Sequence, residues 1–210
     1  MTEPTLYDDE LDEQCYRVRL LFGALGRSYR KIAVDVHPGG EQRSAPFLKL
    51  NPRATLPILT ENDLVLCGAE SILAYVARKY DTARTWFPDE PATFGRIMQW
   101  LAFAAGDLQA ASAARANALF EYEADAEALH RTSRRAFRLM DDHMIKREFD
   151  DGGWFVGLTP TIADIALFPA IALSRDFGVD HDEYPALRRW MRRVRAIPGF
   201  ITMPGIPAYH

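Results

Sequence analysis

Five carboxylate side chains lie just before the first cysteine of the chain, in the segment YDDELDEQCYRVRLLF at residues 7–22. Such a cluster could hold a divalent cation, keep a surface loop soluble, or alter a site that binds a thiol. Contiguous acids rarely converge on one ion, so the spacing disfavours a metal site. Asp12 stands where the first helix should begin, and its carboxylate can cap the amides two or three residues on. We expect the remaining acids to be exposed loop charges, namely Asp8, Asp9, Glu10 and Glu13.

Composition restricts the classes of function. The 210 residues carry a formal net charge of -4, which argues against a protein whose main task is to bind nucleic-acid phosphates. No run of about 18 apolar residues could span a membrane, and residues 1–10 are acidic where a signal peptide would be basic and then apolar. The two cysteines and five histidines show no metal-ligand spacing. We therefore expect a cytoplasmic protein with no metal, no nucleic acid and no membrane among its partners.

The elements that must position the acidic segment belong to an α/β domain. A β-prone stretch precedes apolar residues at helical spacing, and a strand and a short amphipathic helix follow. Two apolar runs on either side of Glu61-Asn62-Asp63 then indicate a β-hairpin, and a second amphipathic helix comes directly after it. This order predicts the pattern β-α-β, helix, β-β-α over residues 1–81.

A polar, proline-bearing linker at 82–91 precedes a second domain that reads as all-helical over 92–210. Segments rich in Ala, Leu and Arg predict long helices over 92–118 and 124–148. Further on, Thr161-Ile162-Ala163-Asp164 places a hydroxyl and a carboxylate three residues apart before an apolar run, as in a capping box. The helix behind this box is apolar on all sides, so we expect it to be buried.

Three motifs coincide with this two-domain pattern: NPRATLPIL at 51–59, the pair Glu70-Ser71 opening a helix, and TIADIA at 161–166. Together they resemble the cytosolic glutathione transferase family over nearly the whole chain, as a bacterial member with an atypical catalytic position. The resemblance implies the glutathione transferase fold, with a thioredoxin-like glutathione-binding domain followed by an all-helical domain. It also implies glutathione as cosubstrate and a homodimer as the assembly.

By this resemblance, the main chain of Leu56 binds the cysteinyl part of glutathione, next to a cis peptide bond at Pro57. Glu70 and Ser71 meet the γ-glutamyl end, where a helix N-terminus offers unpaired N–H groups to a carboxylate. Thr55 stands near the middle of the ligand. The structural alternative is that Glu70 and Ser71 only cap their own helix.

The catalytic position is where this sequence departs from the family. The place of the activating Ser, or of a nucleophilic Cys, falls on Asp12. These transferases stabilise glutathione as its thiolate, and an ionised Asp does the reverse because a like charge raises the pKa of the thiol. Asp12 is therefore better suited to cap the helix. Gln14 is the candidate activator, since its side-chain amide could donate a hydrogen bond to the bound sulfur.

Cys15 allows two interpretations. It shares the apolar stripe of Val18 and Phe22, which is typical of a small buried core residue. Its place in the first helical turn could instead lower the pKa of its thiol and permit a mixed disulfide with glutathione.

The second substrate should lie between the two domains, by the same resemblance. The predicted helix over 92–118 is the expected wall, and the tail at 203–209 could cover it. The side chains that this helix would present are Trp100, Phe103, Asp107 and Arg115.

Three functions follow in order of preference. The first is a glutathione transferase that uses glutathione on a small electrophile, with the thiol activated by a non-standard residue. The second is a non-catalytic protein that uses the same fold to bind a partner, because fold does not dictate function. The third is a glutathione-dependent thiol-disulfide reductase that uses Cys15.

Overall fold

The computed structural model describes residues 3–150 and 152–206. The first domain contains a four-stranded sheet in the order β2-β1-β3-β4, in which β1 and β2 are parallel and the other neighbours are antiparallel. Three helices alternate with the strands, so the predicted β-α-β, helix, β-β-α pattern is confirmed. The elements are β1 (Thr5–Asp8), α1 (Glu13–Ala24), β2 (Arg30–Ala33), α2 (Ala45–Leu50), β3 (Ile58–Glu61), β4 (Leu64–Cys67) and α3 (Ala69–Tyr80).

The second domain is helical, as predicted. Its helices are α4 (Pro91–Ala105), α5 (Gln109–Phe120), α6 (Ala126–Phe149), α7 (Ile162–Ala172) and α8 (Pro185–Arg195), with short 3-10 turns at Ser174–Phe177 and His181–Glu183. A further 3-10 turn, Glu41–Arg43, belongs to the first domain and lies between β2 and α2. Within the described ranges, no helix has both the length and the apolar content needed to cross a bilayer.

The expectation of one helix over 92–118 is wrong. Helix α4 ends at Ala105, and α5 begins at Gln109 after a turn at Gly106, Asp107 and Leu108. Glycine is a weak helix former because it loses much backbone entropy on ordering. The turn lets α5 take its own direction, and residues of α5 contact the beginning of α1.

Helix α7 is the centre of the molecule. Every one of its residues is buried, and it packs against α1 and α3 of the first domain as well as α4 and α8 of the second. Its N-terminus carries the predicted capping box, with reciprocal bonds between Thr161 and Asp164. The Asp164 carboxylate also accepts from the Phe155 amide at 3.0 Å and from the Trp190 indole at 2.9 Å, so one buried group joins three segments.

Candidate active site between the domains

A cavity of about 420 Å³ lies between the loops of the first domain and helix α5. The first domain lines it with the acidic segment before α1, the loop after β2 and the loop before β3. The second domain lines it with α5 and with Tyr122, which lies just after this helix. Five of the sequence-predicted site residues lie on its wall: Asp12, Gln14, Thr55, Leu56 and Arg115.

Asp12 is the N-cap of α1, and its Oδ1 accepts from the Cys15 amide at 2.8 Å. Burial disfavours the charged form and raises the pKa of this carboxyl to about 6, and the neighbouring charges of Glu13 and Asp9 act in the same direction. The same side chain lines the cavity. Asp12 therefore caps the helix and places a carboxylate, ionised at neutral pH, beside the cavity.

The acidic segment is held by two arginines. Arg19 of α1 donates to the Asp8 carboxylate and to the backbone carbonyls of Asp9 and Glu10, the last two at 3.0 Å each. Arg115 of α5 donates to the carbonyl of Leu11 at 2.5 Å. Three consecutive carbonyls of the segment thus accept from guanidinium groups, which fixes its path along the cavity.

Two of the acids are not exposed loop charges as expected. Asp8 is fully buried and is paired with Arg19 and, at 3.1 Å, with Lys31. Glu13 is 5% exposed and accepts from the Ser112 hydroxyl of α5. A buried carboxylate needs such partners because desolvation of an unpaired charge is costly.

Glu13 is part of a polar chain that leads to the candidate glutathione residues. The Arg17 guanidinium is fully buried, with Nη2 at 3.6 Å from Glu13 and Nη1 at 2.7 Å from Glu70. Arg17 therefore orients the Glu70 carboxylate at the beginning of α3. Gln14 has Nε2 at 3.5 Å from Glu13, and an amide nitrogen carries a second proton that can be donated elsewhere.

The N-terminus of α3 does not depend on Glu70 and Ser71 for its cap. The N-cap residue is Gly68, whose φ is 94°, in the region that favours glycine. The Ser71 hydroxyl donates backwards to the carbonyls of Cys67 and Gly68 at 2.9 Å. The first-turn amides of α3 thus have no side-chain cap from residue 68, while Glu70 is held by Arg17.

The loop before β3 lines the cavity with Ala54, Thr55 and Leu56. Its Leu56–Pro57 peptide bond is cis. Asn51, which is 2% exposed, donates through Nδ2 to the Thr55 carbonyl at 2.7 Å and to the Thr55 hydroxyl at 3.0 Å. The asparagine of the NPRATLPIL motif therefore holds the turn that presents Leu56 to the cavity.

Cys15 has the environment of a core residue. It is fully buried in a cluster with Val34, Phe47, Leu56 and Ile58. Burial is the main cause that raises the pKa of its thiol well above the ordinary value, and the Asp12 charge adds to it. The reactive thiolate that the first-turn position could favour is thus opposed by burial.

The expected wall of the second-substrate pocket is only partly present. Trp100 packs against His143 and Phe155, with ring centroids 4.7 Å apart in each pair, and Phe103 packs against Trp100. Asp107 is exposed in the turn between α4 and α5. Trp100, Phe103 and Asp107 do not line the cavity. Arg115 does, because after the turn it is α5 that faces the cavity.

The predicted cover of the pocket, the tail at 203–209, is only partly described. Met203 is buried in the main core, and Tyr209 lies outside the described residues.

Several lining residues were missed from the sequence. Gln42 is 8% exposed, and its Oε1 has no hydrogen-bond partner among the described residues, so it is a polar group available to a ligand. His37, Phe120 and Tyr122 line the cavity mouth from both domains. The sequence carried no signal for them. His37 stands in a segment that indicates only a chain break, Phe120 is the last residue of α5, and Tyr122 lies two residues beyond it.

One group of potential metal ligands occurs in the described part of the chain, away from the cavity. Ligand atoms of Asp180, His181 and Asp182 lie within 4.8 Å of one another. Arg175 donates to the carboxylate of Asp180 at 2.8 Å and to that of Asp182 at 3.0 Å. A guanidinium therefore already neutralises these acids.

Two family descriptions match the chain, one for each domain. Residues 6–84 match the glutathione S-transferase N-terminal domain, and residues 97–198 match the glutathione S-transferase C-terminal domain.

Individual relatives of the chain belong to the same family as these two domain descriptions. A probable maleylacetoacetate isomerase of Vibrio cholerae is 26% identical over 93% of this chain and 92% of its own. The crystal structure of a glutathione S-transferase from Pseudomonas fluorescens has a TM-score of 0.86 and 27% identity, covering 97% of this chain and all of that one. A glutathione transferase homologue from Drosophila mojavensis, solved with bound glutathione, has a TM-score of 0.83 and 25% identity, with 94% and 90% coverage. The chain therefore belongs to the glutathione S-transferase superfamily.

Proposed function

We propose that this protein binds glutathione in the cavity between its domains and uses the thiol on a small electrophile. The observation that carries the proposal is that the first domain holds two preorganised elements, one on the cavity wall and one at the N-terminus of α3. Asn51 holds the turn that presents Leu56 to the cavity, and Arg17 holds Glu70 at the open N-terminus of α3. The turn at Leu56 suits a peptide-like ligand. Glu70 and the N-terminus of α3 suit the amino acid end of the ligand, which carries an ammonium and a carboxylate. The Drosophila mojavensis relative with bound glutathione supports this ligand.

Gln14 is our proposed activator of the thiol. It lines the cavity at the beginning of α1, two residues beyond Asp12, and its amide is a neutral donor. Hydrogen bonding to a thiolate favours the charged form and lowers the pKa of the thiol. The nearby Asp12 carboxylate opposes this effect, so we propose an enzyme of modest conjugating activity.

Isomerisation is the second candidate activity, because the Vibrio cholerae relative is named a probable maleylacetoacetate isomerase. Both activities require glutathione in the same place. The partner-binding and Cys15 reductase hypotheses receive less support, since the cavity is preorganised and the Cys15 thiol is fully buried.

The first test is calorimetric titration of the protein with reduced glutathione at neutral pH. A separate kinetic assay measures turnover with a generic aromatic halide as the substrate. We expect a dissociation constant between micromolar and low millimolar, about 4 to 8 kcal/mol of binding free energy. Glu70→Ala should weaken binding about tenfold or more, because it removes a charge-assisted partner of the ligand. Glu127→Ala is the matched control, since that side chain is 92% exposed on α6. Absence of heat at about 10 mM glutathione, beyond the millimolar range, would contradict the proposal.

We also propose a homodimer in the cytoplasm. Phe94 and Met98 are 38% and 42% exposed and stand one turn apart on α4, and Val65 on the edge strand β4 is 42% exposed. Exposed apolar side chains such as these are typical of an interface with another subunit. Both cysteines are free, which fits a reducing compartment.

A further inference from the structure

A second cavity, of about 440 Å³, lies at the other end of α1 from the candidate active site. Gln14 lines the active-site cavity and Ala24 lines the second one, so about 15 Å of helix separates the two. The second cavity is more open to solvent, and the two cavities share no lining residue. We call it the tryptophan groove, and its walls include Ala24, Trp86, Trp154, Pro160, Arg193 and Pro198.

The two tryptophans of the groove are held by main-chain hydrogen bonds. The Trp86 amide donates to the Asp81 carboxylate at 2.7 Å, and the Trp86 carbonyl accepts from the Ile162 amide at 2.9 Å. The Trp154 carbonyl accepts from Arg147 Nε at 3.1 Å. The backbone positions of both tryptophans are therefore fixed before any ligand binds.

The polar side chains of the groove can donate hydrogen bonds but cannot accept them. In the part of the chain that the structure describes, the indole nitrogens of Trp86 and Trp154 have no hydrogen-bond partner, and neither is shut off from solvent. Arg193 donates to the Gly153 carbonyl and to the Glu148 carboxylate at 3.4 Å each, which is long for such bonds. Indole and guanidinium groups have no acceptor. A matching ligand must therefore offer acceptors together with apolar surface.

The openness of the groove favours an extended peptide over a small molecule. Small ligands bind in sites that bury most of their surface, and an open groove does not do so. A run of prolines is already extended, and each proline has a carbonyl acceptor but no N–H donor. Such segments dock in grooves that are lined by aromatic side chains, and their preformed conformation limits the entropy lost on binding.

We infer that the tryptophan groove binds a proline-rich segment of a partner protein, with an acidic residue of that segment beside Arg193. The proline rings lie against the indoles, and carbonyls of the segment accept from the indole N–H groups. Arg193 is the only charged side chain among the described residues of the lining, so a negative charge is attracted and a positive charge is repelled. This interaction needs no glutathione and is independent of the proposed function.

The probe is a short synthetic peptide of consecutive prolines followed by one glutamate, blocked at both ends. It is titrated into the full-length protein and followed by tryptophan fluorescence and by calorimetry. We expect a dissociation constant between micromolar and low millimolar, and about tenfold weaker binding when lysine replaces the glutamate. A peptide with alanines in place of the prolines should bind more weakly than the proline peptide. Equal binding of the alanine and proline peptides, or no binding at about 10 mM, would overturn the inference.

Two substitutions locate the peptide on the protein. Trp154→Phe keeps an aromatic ring but removes the indole N–H, and it should weaken peptide binding several-fold. Trp100→Phe is the matched control, because Trp100 packs against His143 and Phe155 outside the groove. Arg193→Gln should abolish the preference for glutamate over lysine. Equal affinities of the two tryptophan variants, or an unchanged preference in Arg193→Gln, would show that the peptide binds elsewhere.

Two further titrations test the other occupants. Naphthoate, an apolar carboxylate, should bind at least about tenfold more weakly than the peptide, because the open groove buries little of its surface. Tighter binding of naphthoate that is lost in Trp154→Phe would assign the groove to small molecules and overturn the inference. Saturating reduced glutathione should leave the affinity for the peptide unchanged, and mutual exclusion of the two would place the peptide in the active-site cavity instead.

Discussion

At the scale of single residues, the beginning of α1 combines a structural and a chemical demand. Asp12 satisfies an amide of the helix but adds negative charge to the cavity. Gln14 stands two residues further along the chain, in the first turn of α1, and its amide is a neutral donor. Because a cap and an activator require different side chains, we propose that the two tasks are divided between Asp12 and Gln14.

Gln14→Ala should lower kcat without unfolding the protein. The substitution removes a donor that stabilises charge on sulfur, and loss of one such donor in other enzymes lowers kcat by about a hundredfold or more. We expect a smaller effect of about tenfold here, since Asp12 already opposes thiolate formation. Steady-state kinetics and thermal unfolding would measure the two effects. The control is Gln99→Ala on the exposed face of α4, and equal turnover of both variants would remove Gln14 from the site.

Asp12→Asn should change stability in a pH-dependent way. The folded-state pKa of Asp12 is about 6, above the ordinary value of 3.8, so wild type loses stability as pH rises from about 4 to about 6. Asparagine lacks this ionisation and keeps the cap. The free energy of unfolding of the variant, relative to that of wild type, should therefore rise by about 1 to 2 kcal/mol between pH 4 and pH 7. This figure is discounted for solvent that reaches the side chain. Urea unfolding at both pH values measures the difference, and a gain that is larger at pH 4 would contradict the assigned shift.

At the scale of elements, the first turn of α7 and the N-cap of α1 show two uses of a capping carboxylate. Asp164 is fully buried and accepts from the amides of Phe155 and Thr161 and from the Trp190 indole. Asp12 is half-buried at the edge of a cavity. Asp164 therefore stabilises the packing of the helical domain, while Asp12 also affects the candidate site.

Asp164→Ala should destabilise the protein by about 3 to 5 kcal/mol, because several buried donors lose their acceptor at once. Glu90→Ala is the matched control, since Glu90 caps the exposed N-terminus of α4 by accepting from the amides of Ala92 and Thr93. That substitution should cost about 1 kcal/mol. Chemical denaturation gives both free energies of unfolding. Similar losses in the two variants would show that the buried network adds nothing to an ordinary cap.

At the scale of the whole molecule, the two domains are joined by α7 and by side chains that cross the cavity. Ser112 and Arg115 of α5 contact Glu13 and Leu11 of the first domain, and the Tyr16 hydroxyl donates to the Ile201 carbonyl at 2.6 Å. The site is therefore a product of the interface between domains, and its geometry depends on the relative position of α1 and α5.

The proposed dimer can be tested at this scale by placing a charge on α4. Met98→Glu should shift the mass measured by analytical ultracentrifugation from about twice 23.8 kDa towards a single chain, because a buried unpaired carboxylate opposes association. Leu139→Glu is the control, since Leu139 is 49% exposed on α6. A wild-type protein that sediments as a single chain would reject the dimer.

Much of the fold and part of the site could be predicted because their signals are local. The cap at Asp12, the capping box at Thr161 and Asp164, and the order of strands and helices follow from residues a few positions apart. The family motifs likewise led to Thr55 and Leu56, which lie on the cavity wall. Hydrogen bonding and side-chain periodicity within a segment need no knowledge of its neighbours.

Other features depend on contacts between residues that are distant in the chain. The burial of Asp8 and Glu13 depends on arginines and on Ser112, the unpaired Gln42 oxygen depends on its surroundings, and His37 meets Phe120 across the domains. The turn at Gly106 decides which helix faces the cavity, although glycine alone does not end a helix. The sequence by itself thus determined the elements, their order and their caps. Only tertiary packing decided which charges are buried and which side chains form the site, because desolvation and pairing depend on what the fold brings together.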